Sequence, residues 1–177
     1  MTWNWHAKAL VGAIVLQLLV LGGGLLGALY PRWLGQEVRL LVEPVDPRSL
    51  FRGNYAQLRY RIGEVAMDEA TLPLRHGERV YVPLRPADEG VMQGDGLRLS
   101  PPADGLFIRG RVEGRPWPAQ EGFRVRVRYG IEAYFLPRDK ALAMEKALRQ
   151  GDSVASVMVA PNGKAALVAV NPGTAAR

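Results

Sequence analysis

The segment from Ala9 to Tyr30, ALVGAIVLQLLVLGGGLLGALY, runs for twenty-two residues with no charge and one polar side chain, Gln17. As a helix it rises roughly 30 Å, the thickness of a bilayer's hydrocarbon core. Trp3 and Trp5 precede it and Tyr30 and Trp33 follow it, as amphipathic aromatics do at the two lipid–water boundaries. A buried helix of a soluble protein rarely runs this long uncharged, so residues 1–35 are expected to form a transmembrane anchor. A cleaved signal peptide also begins with a short basic stretch and an apolar run, but its apolar core is shorter. Cleavage after Ala28 or Gly27 would place Leu26 or Leu25 where signal peptidase requires a small residue, so the anchor is expected to be retained. Lys8 and the α-amino group, set against Arg32 and Arg39, favour a single pass with the C-terminal domain outside the cytoplasmic membrane. Gly23 and Gly27 form a GxxxG pair through which two copies could associate as a homo-oligomer.

Beyond the anchor the composition changes. The chain's mean hydropathy of -0.05 averages an apolar end with a polar remainder. Lys8 and Arg32 are the only basic residues before position 36, which leaves 21 basic against 17 acidic residues, or +4, for the rest. That surplus lacks the dense basic cluster or reading module of a nucleic-acid binder, so no nucleic acid is expected as a partner. Anionic lipid or cell-wall polymer is an equally fair partner for so small a surplus. With no cysteine, disulfides, thiolate nucleophiles and cysteine metal sites are excluded.

Residues 36–172 suit one compact, mostly β domain of the β-rich α+β class, followed by a tail over residues 173–177. Side chains alternate apolar and polar over Val38–Val42, Tyr55–Ile62, Val80–Leu84, Leu106–Val112 and Phe123–Tyr129, the period of half-buried strands. PADEGVMQGDG and SPPADG between them read as connections rich in turn formers. SVASVMVA and KAALVAV flank Pro161, Asn162 and Gly163, which predicts a terminal hairpin. RDKALAMEKALRQG, with Asp139 as N-cap and Gly151 past its end, predicts one C-terminal helix. A single helical turn is expected over Met67 to Ala70.

The richest segment is DPRSLFRGNYAQLRYRI, in which turn formers lead into the alternating Tyr55, Leu58, Tyr60 and Ile62. GNYAQLRY resembles the motif of the GDYXXLXY family of bacterial membrane-anchored envelope proteins, matching it at Gly53, Tyr55, Leu58 and Tyr60. The family's Asp is Asn54 here, so a role needing negative charge at that position does not carry over. YGIEAYFLP, with Gly130, Glu132, Tyr134 and Phe135, is similar to the family's second recurrent segment. The resemblance implies an N-terminally anchored envelope protein of no established activity, often encoded beside multi-pass membrane proteins. From the residues themselves, Gly53, Tyr55, Leu58 and Tyr60 are expected to form a folding element. Glu132, between apolar neighbours, needs a partner or a hydrogen bond; the alternative is a ligand-binding carboxylate.

The arginines also alternate: Arg59 and Arg61, Arg109 and Arg111, then Arg124, Arg126 and Arg128. Residues two apart in a strand share a face, so each group projects together and neighbouring strands could merge them into one anion-binding surface. The alternative is a solvated face interleaved with Glu64, Glu113 and Glu121.

Catalytic constellations are sparse. His76 is the domain's only histidine and lies in a polar connection, so neither a histidine metal cluster nor a serine triad is expected. A faint likeness to membrane-anchored Ser–Lys peptidases offers Ser49 with Lys140, Lys146 or Lys164 as base, but none of these lysines sits in the apolar setting such a base requires. The expected protein is therefore a non-catalytic binding or assembly subunit for an integral membrane protein, without cofactor or metal. A binder of anionic lipid or cell-wall polymer is the alternative, and a hydrolase the third reading.

Overall fold

A computed structural model describes residues 4–43, 55–69, 73–120, 122–135 and 153–171. Helix α1, Trp5–Leu34, precedes eleven strands among these residues: β1 Gln36–Glu43, β2 Tyr55–Gln57, β3 Arg59–Tyr60, β4 Glu64–Met67, β5 Arg79–Pro86, β6 Met92–Gly94, β7 Phe107–Pro118, β8 Phe123–Arg128, β9 Ala133–Phe135, β10 Ser153–Val159 and β11 Ala165–Asn171. The main sheet runs β11-β10-β1-β6-β5-β7-β8-β4, with β3 also paired to β1, and β2 and β9 form a separate ribbon. The architecture is one apolar helix followed by a curled, strand-rich domain.

Alternation in sequence becomes alternation in burial. In β5, Val80, Val82 and Leu84 are buried while Arg79 and Arg85 are exposed; in β8, Val125 and Val127 are buried between exposed arginines. These β-branched side chains join Leu40, Val42, Ile108 and Val157 in one core. Each such side chain contributes about 1.5–3 kcal/mol over an exposed one. The curl is visible in β5, whose first half pairs with β7 and whose end pairs with β6. Gly110 permits it, because a Cβ there would lie 2.3 Å from Val127 Cγ1 and 2.8 Å from the Arg128 carbonyl.

The hairpin at Asn162–Gly163 forms as expected, with β10 and β11 antiparallel. Its tip closes on the edge of β7: the Arg109 N–H donates to the Gly163 carbonyl at 2.9 Å, and Gly163 (φ 76°) packs where any Cβ would strike Phe107.

Three expectations change. Tyr55–Ile62 is not one strand, because Tyr55–Gln57 pairs with β9, Arg59–Tyr60 pairs with β1, and Arg61–Gly63 turns as a 3₁₀ helix. The helical turn expected over Met67 to Ala70 starts later, because Met67 ends β4, buried opposite Phe123, and 3₁₀ conformation begins only at Glu69; Ala70 lies outside the described residues. The turn-rich 86–96 segment contains β6, which lies parallel to β1 at Leu40. The helix over 138–151 and the 173–177 tail lie outside the described residues.

Helix α1 is long and apolar enough to cross a membrane. Its side chains are mostly exposed up to Leu26; from Gly27 onward one side is covered, and Pro31 is buried. The covering comes from the terminal hairpin. Lys164 Nζ donates to the Gly27 carbonyl, and Arg32 Nη2 reaches the Leu167 carbonyl at 3.5 Å. Lys164 thus already occupies one residue of the Gly23–Gly27 pair, whereas nothing lies within 4 Å of a Cβ built on Gly23.

Candidate functional site

The two motif segments, some seventy-five residues apart in the chain, meet in space. Tyr55 pairs with Phe135, Ala56 with Tyr134 and Gln57 with Ala133 in antiparallel register. The Leu58 N–H then donates to the Glu132 carbonyl at 2.7 Å, and the Tyr60 hydroxyl donates to the Ile131 carbonyl at 2.9 Å. Leu58 and Tyr60 point into the core at 2% exposure each, and Tyr134 packs against it. Gly53 and Asn54, and the side chains of Tyr55 and Phe135, lie outside what the structure describes.

Glu132 closes the turn that brings these segments together. Its Oε1 accepts from the Tyr129 N–H at 2.5 Å and its Oε2 from the Gly130 N–H at 2.9 Å. Gly130 adopts φ 84°, a left-handed conformation that costs a glycine little. The Tyr129 hydroxyl is buried too and donates to the Ile62 carbonyl at 2.5 Å. Burial, reinforced by the nearby Glu132 carboxylate, pushes both the Tyr60 and Tyr129 hydroxyls well above the ordinary tyrosine range. They remain neutral donors holding backbone oxygens.

Five of the seven arginines share one sheet face, and Arg59 lines a concavity together with two of them, Arg126 and Arg128. Arg59 and Arg61 belong to β3 and the turn after it, where Arg61 Nε lies 3.5 Å from Glu43. The outer face of β5, β7, β8 and β4 carries the others in cross-strand rows. Arg124 lies opposite Trp117 and Ala66. In the next described row Arg126 stands between Glu113 and Glu64, with Nη2 2.9 Å from Glu64 and its guanidinium 6.0 Å from the Trp117 ring. One row further, Arg128 lies opposite Arg111, and Arg111 opposite Arg79. Arg109 follows on the same face, opposite Tyr81.

Two adjoining concavities flank these rows. One, of about 530 Å³, runs from the motif junction to β8 and is lined by Arg59, Arg126 and Arg128 against Glu64, Glu113 and Glu132. Its charges balance. The other, of about 480 Å³, is lined by Arg79, Arg109, Arg111, Arg128 and Lys164 against Glu113 alone, with His76 among its lining residues. Its charges do not balance.

Sequence reasoning missed Arg79 and Lys164. Arg79 stands alone at the start of β5 and joins the row only through strand order; Lys164 joins through the hairpin's closure on β7. Of the residues weighed for hydrolysis, Ser49, Lys140 and Lys146 lie outside the described residues, and Lys164 is bonded to helix α1. His76 Nδ1 accepts from the Gly114 N–H at 3.0 Å. Among the described residues no group of three metal-ligating side chains gathers.

No curated protein and no solved structure matches the chain. A family model described as GDYXXLXY protein matches residues 17–170, which take in the second half of the helix, both motif segments and the terminal hairpin. On that match, with the motif's Asp replaced by Asn54, the chain belongs to the GDYXXLXY family.

Proposed function

We propose that the protein is a non-catalytic subunit, anchored by α1 in the cytoplasmic membrane, whose domain lies outside and assembles with another integral membrane protein. The observation that carries this reading is how the motif's polar groups are engaged. Both Glu132 oxygens and the Tyr60 and Tyr129 hydroxyls bond to backbone groups. A carboxylate and hydroxyls held this way build a scaffold, leaving recognition to the domain's surface and to the largely bare length of α1.

The test is affinity purification of the tagged full-length chain from detergent-solubilised membranes, with a C-terminal alkaline phosphatase fusion to report orientation. A membrane protein recovered in fixed ratio, together with an active fusion, is the expected result. Recovery of the chain alone, or a soluble product beginning at Leu29, would overturn the subunit and the anchor respectively.

A further inference from the structure

We propose that the concavity between β5, β7, β8 and the β10–β11 tip is a phosphate site that holds the headgroup of an anionic phospholipid. Adjacent strands lie about 4.8 Å apart, so Arg79, Arg111 and Arg128 crowd three like charges into about 10 Å. Like charges directly opposite one another destabilise a sheet. Arg109 and Lys164 add two more to the same lining, and the single carboxylate there, Glu113, stands opposite Arg126. Among the described residues no carboxylate forms an ion pair with Arg79, Arg109, Arg111, Arg128 or Lys164. The row one step along shows the ordinary solution, alternating Glu113, Arg126 and Glu64. The cationic row therefore has the electrostatics of a site whose counter-charge is supplied from outside.

The geometry favours phosphate. Arg111 Nη1 donates to the Gly77 carbonyl at 2.8 Å, which fixes the guanidinium plane and leaves its other N–H groups for oxygens. Free phosphate shares this chemistry, but position selects the lipid. Lys164, on the wall of the concavity, is bonded to the Gly27 carbonyl, where the helix ceases to be bare. The bare apolar stretch Ala9–Leu26 rises roughly 27 Å, close to a hydrocarbon thickness. With α1 in a bilayer, the concavity sits at the depth of the phosphates. The lipid assignment rests on the anchored topology proposed above; the anion site does not.

The full-length chain, purified in neutral detergent, is exposed to an equimolar mixture of phosphatidylglycerol and phosphatidylcholine, and retained lipid is measured by native mass spectrometry. The expected result is selective retention of phosphatidylglycerol, weakening as salt rises. Changing Arg79→Gln, Arg111→Gln and Arg128→Gln together should reduce that retention by about a hundredfold. Changing Arg59→Gln, Arg124→Gln and Arg126→Gln together should preserve the selectivity. Circular dichroism verifies that each variant folds; if the first triple variant does not, single Arg109→Gln and the wild-type salt series carry the test. Equal retention of the two lipids, or unchanged selectivity in the folded triple variant, would overturn the site. Displacement by equimolar inorganic phosphate, or preference for poly(glycerol phosphate), would overturn the lipid as its ligand. The intact mass in the same spectra reports whether α1 is present, so loss of the anchor is distinguishable from failure of the headgroup site.

Discussion

The motif junction and the arginine row lie within one domain but treat polar groups in opposite ways. At the junction, Glu132, Tyr60 and Tyr129 each find backbone partners inside the chain; the two tyrosine bonds join segments distant in sequence, while Glu132 holds its own turn. Along Arg79, Arg111 and Arg128, like charges face one another across three strands. A buried polar group is costly unless paired, so the junction's polar residues are tied to folding; a solvated charge carries no such penalty. The difference separates residues that make the domain from residues the domain displays.

This contrast is broken most directly at Tyr60. Tyr60→Ala removes a buried ring and should cost about 3–5 kcal/mol in urea unfolding, while the fraction that remains folded retains phosphatidylglycerol like wild type. Loss of retention in the folded fraction would merge the two regions into one site. Glu132→Gln keeps the size of the side chain but leaves one acceptor oxygen for two backbone N–H donors, with its NH2 facing the other, and should cost about 1.5–3 kcal/mol by the same measurement.

Alkaline pH sharpens the junction side. The hydroxyls of Tyr60 and Tyr129 are raised in the folded state, so the unfolded chain releases these protons first. Their contribution is complete below about pH 10, the unfolded value, and declines as pH rises above it. Tyrosinate absorbance should accordingly show these two rings ionising only as the domain unfolds. Early ionisation of all six tyrosines would place the two rings in solvent.

The smallest effects belong to the surface, where sign matters more than size. Arg126→Gln breaks an exposed ion pair with Glu64 and should destabilise by about 0.2–1 kcal/mol. Neutralising Arg128 instead relieves repulsion and should leave stability within about 0.5 kcal/mol of wild type, with a rise at low salt. A cost at Arg128 matching that at Arg126 would mean that the row has a counter-charge within the chain.

Much of the β architecture was legible because burial on one face imposes a period of two, as in Val80–Leu84 and Phe123–Tyr129. The break after Gln57 was not, since alternation is identical whether a strand keeps its partner or exchanges β9 for β1. Strand β6 was hidden by the turn residues around it; three residues are too few to show a period. At the candidate site, alternation grouped Arg109 with Arg111 in β7 and Arg124 with Arg126 and Arg128 in β8, but it also put Arg61 on a strand with Arg59 where the chain turns as 3₁₀, and it could not align Arg79 with Arg111, because register between strands is absent from either strand alone. The turn role of Glu132 was half legible: its need for a partner followed from its apolar neighbours, whereas its bonds to the Tyr129 and Gly130 amides required the fold.

Helix α1 ends at Leu34 and β1 begins at Gln36, so Gly35 is the whole connection between them. A Cβ at Gly35 would meet the Pro31 carbonyl at 2.2 Å and the Val159 nitrogen at 3.1 Å, and only glycine fits between them. The joint therefore works as a splint, and helix and sheet share a common phase. One residue added to the helix there would turn the sheet by about 100° about the helix axis. With α1 spanning a membrane as proposed, any tilt imposed by a thinner or thicker bilayer would swing the whole domain with it, as a mast carries its sail.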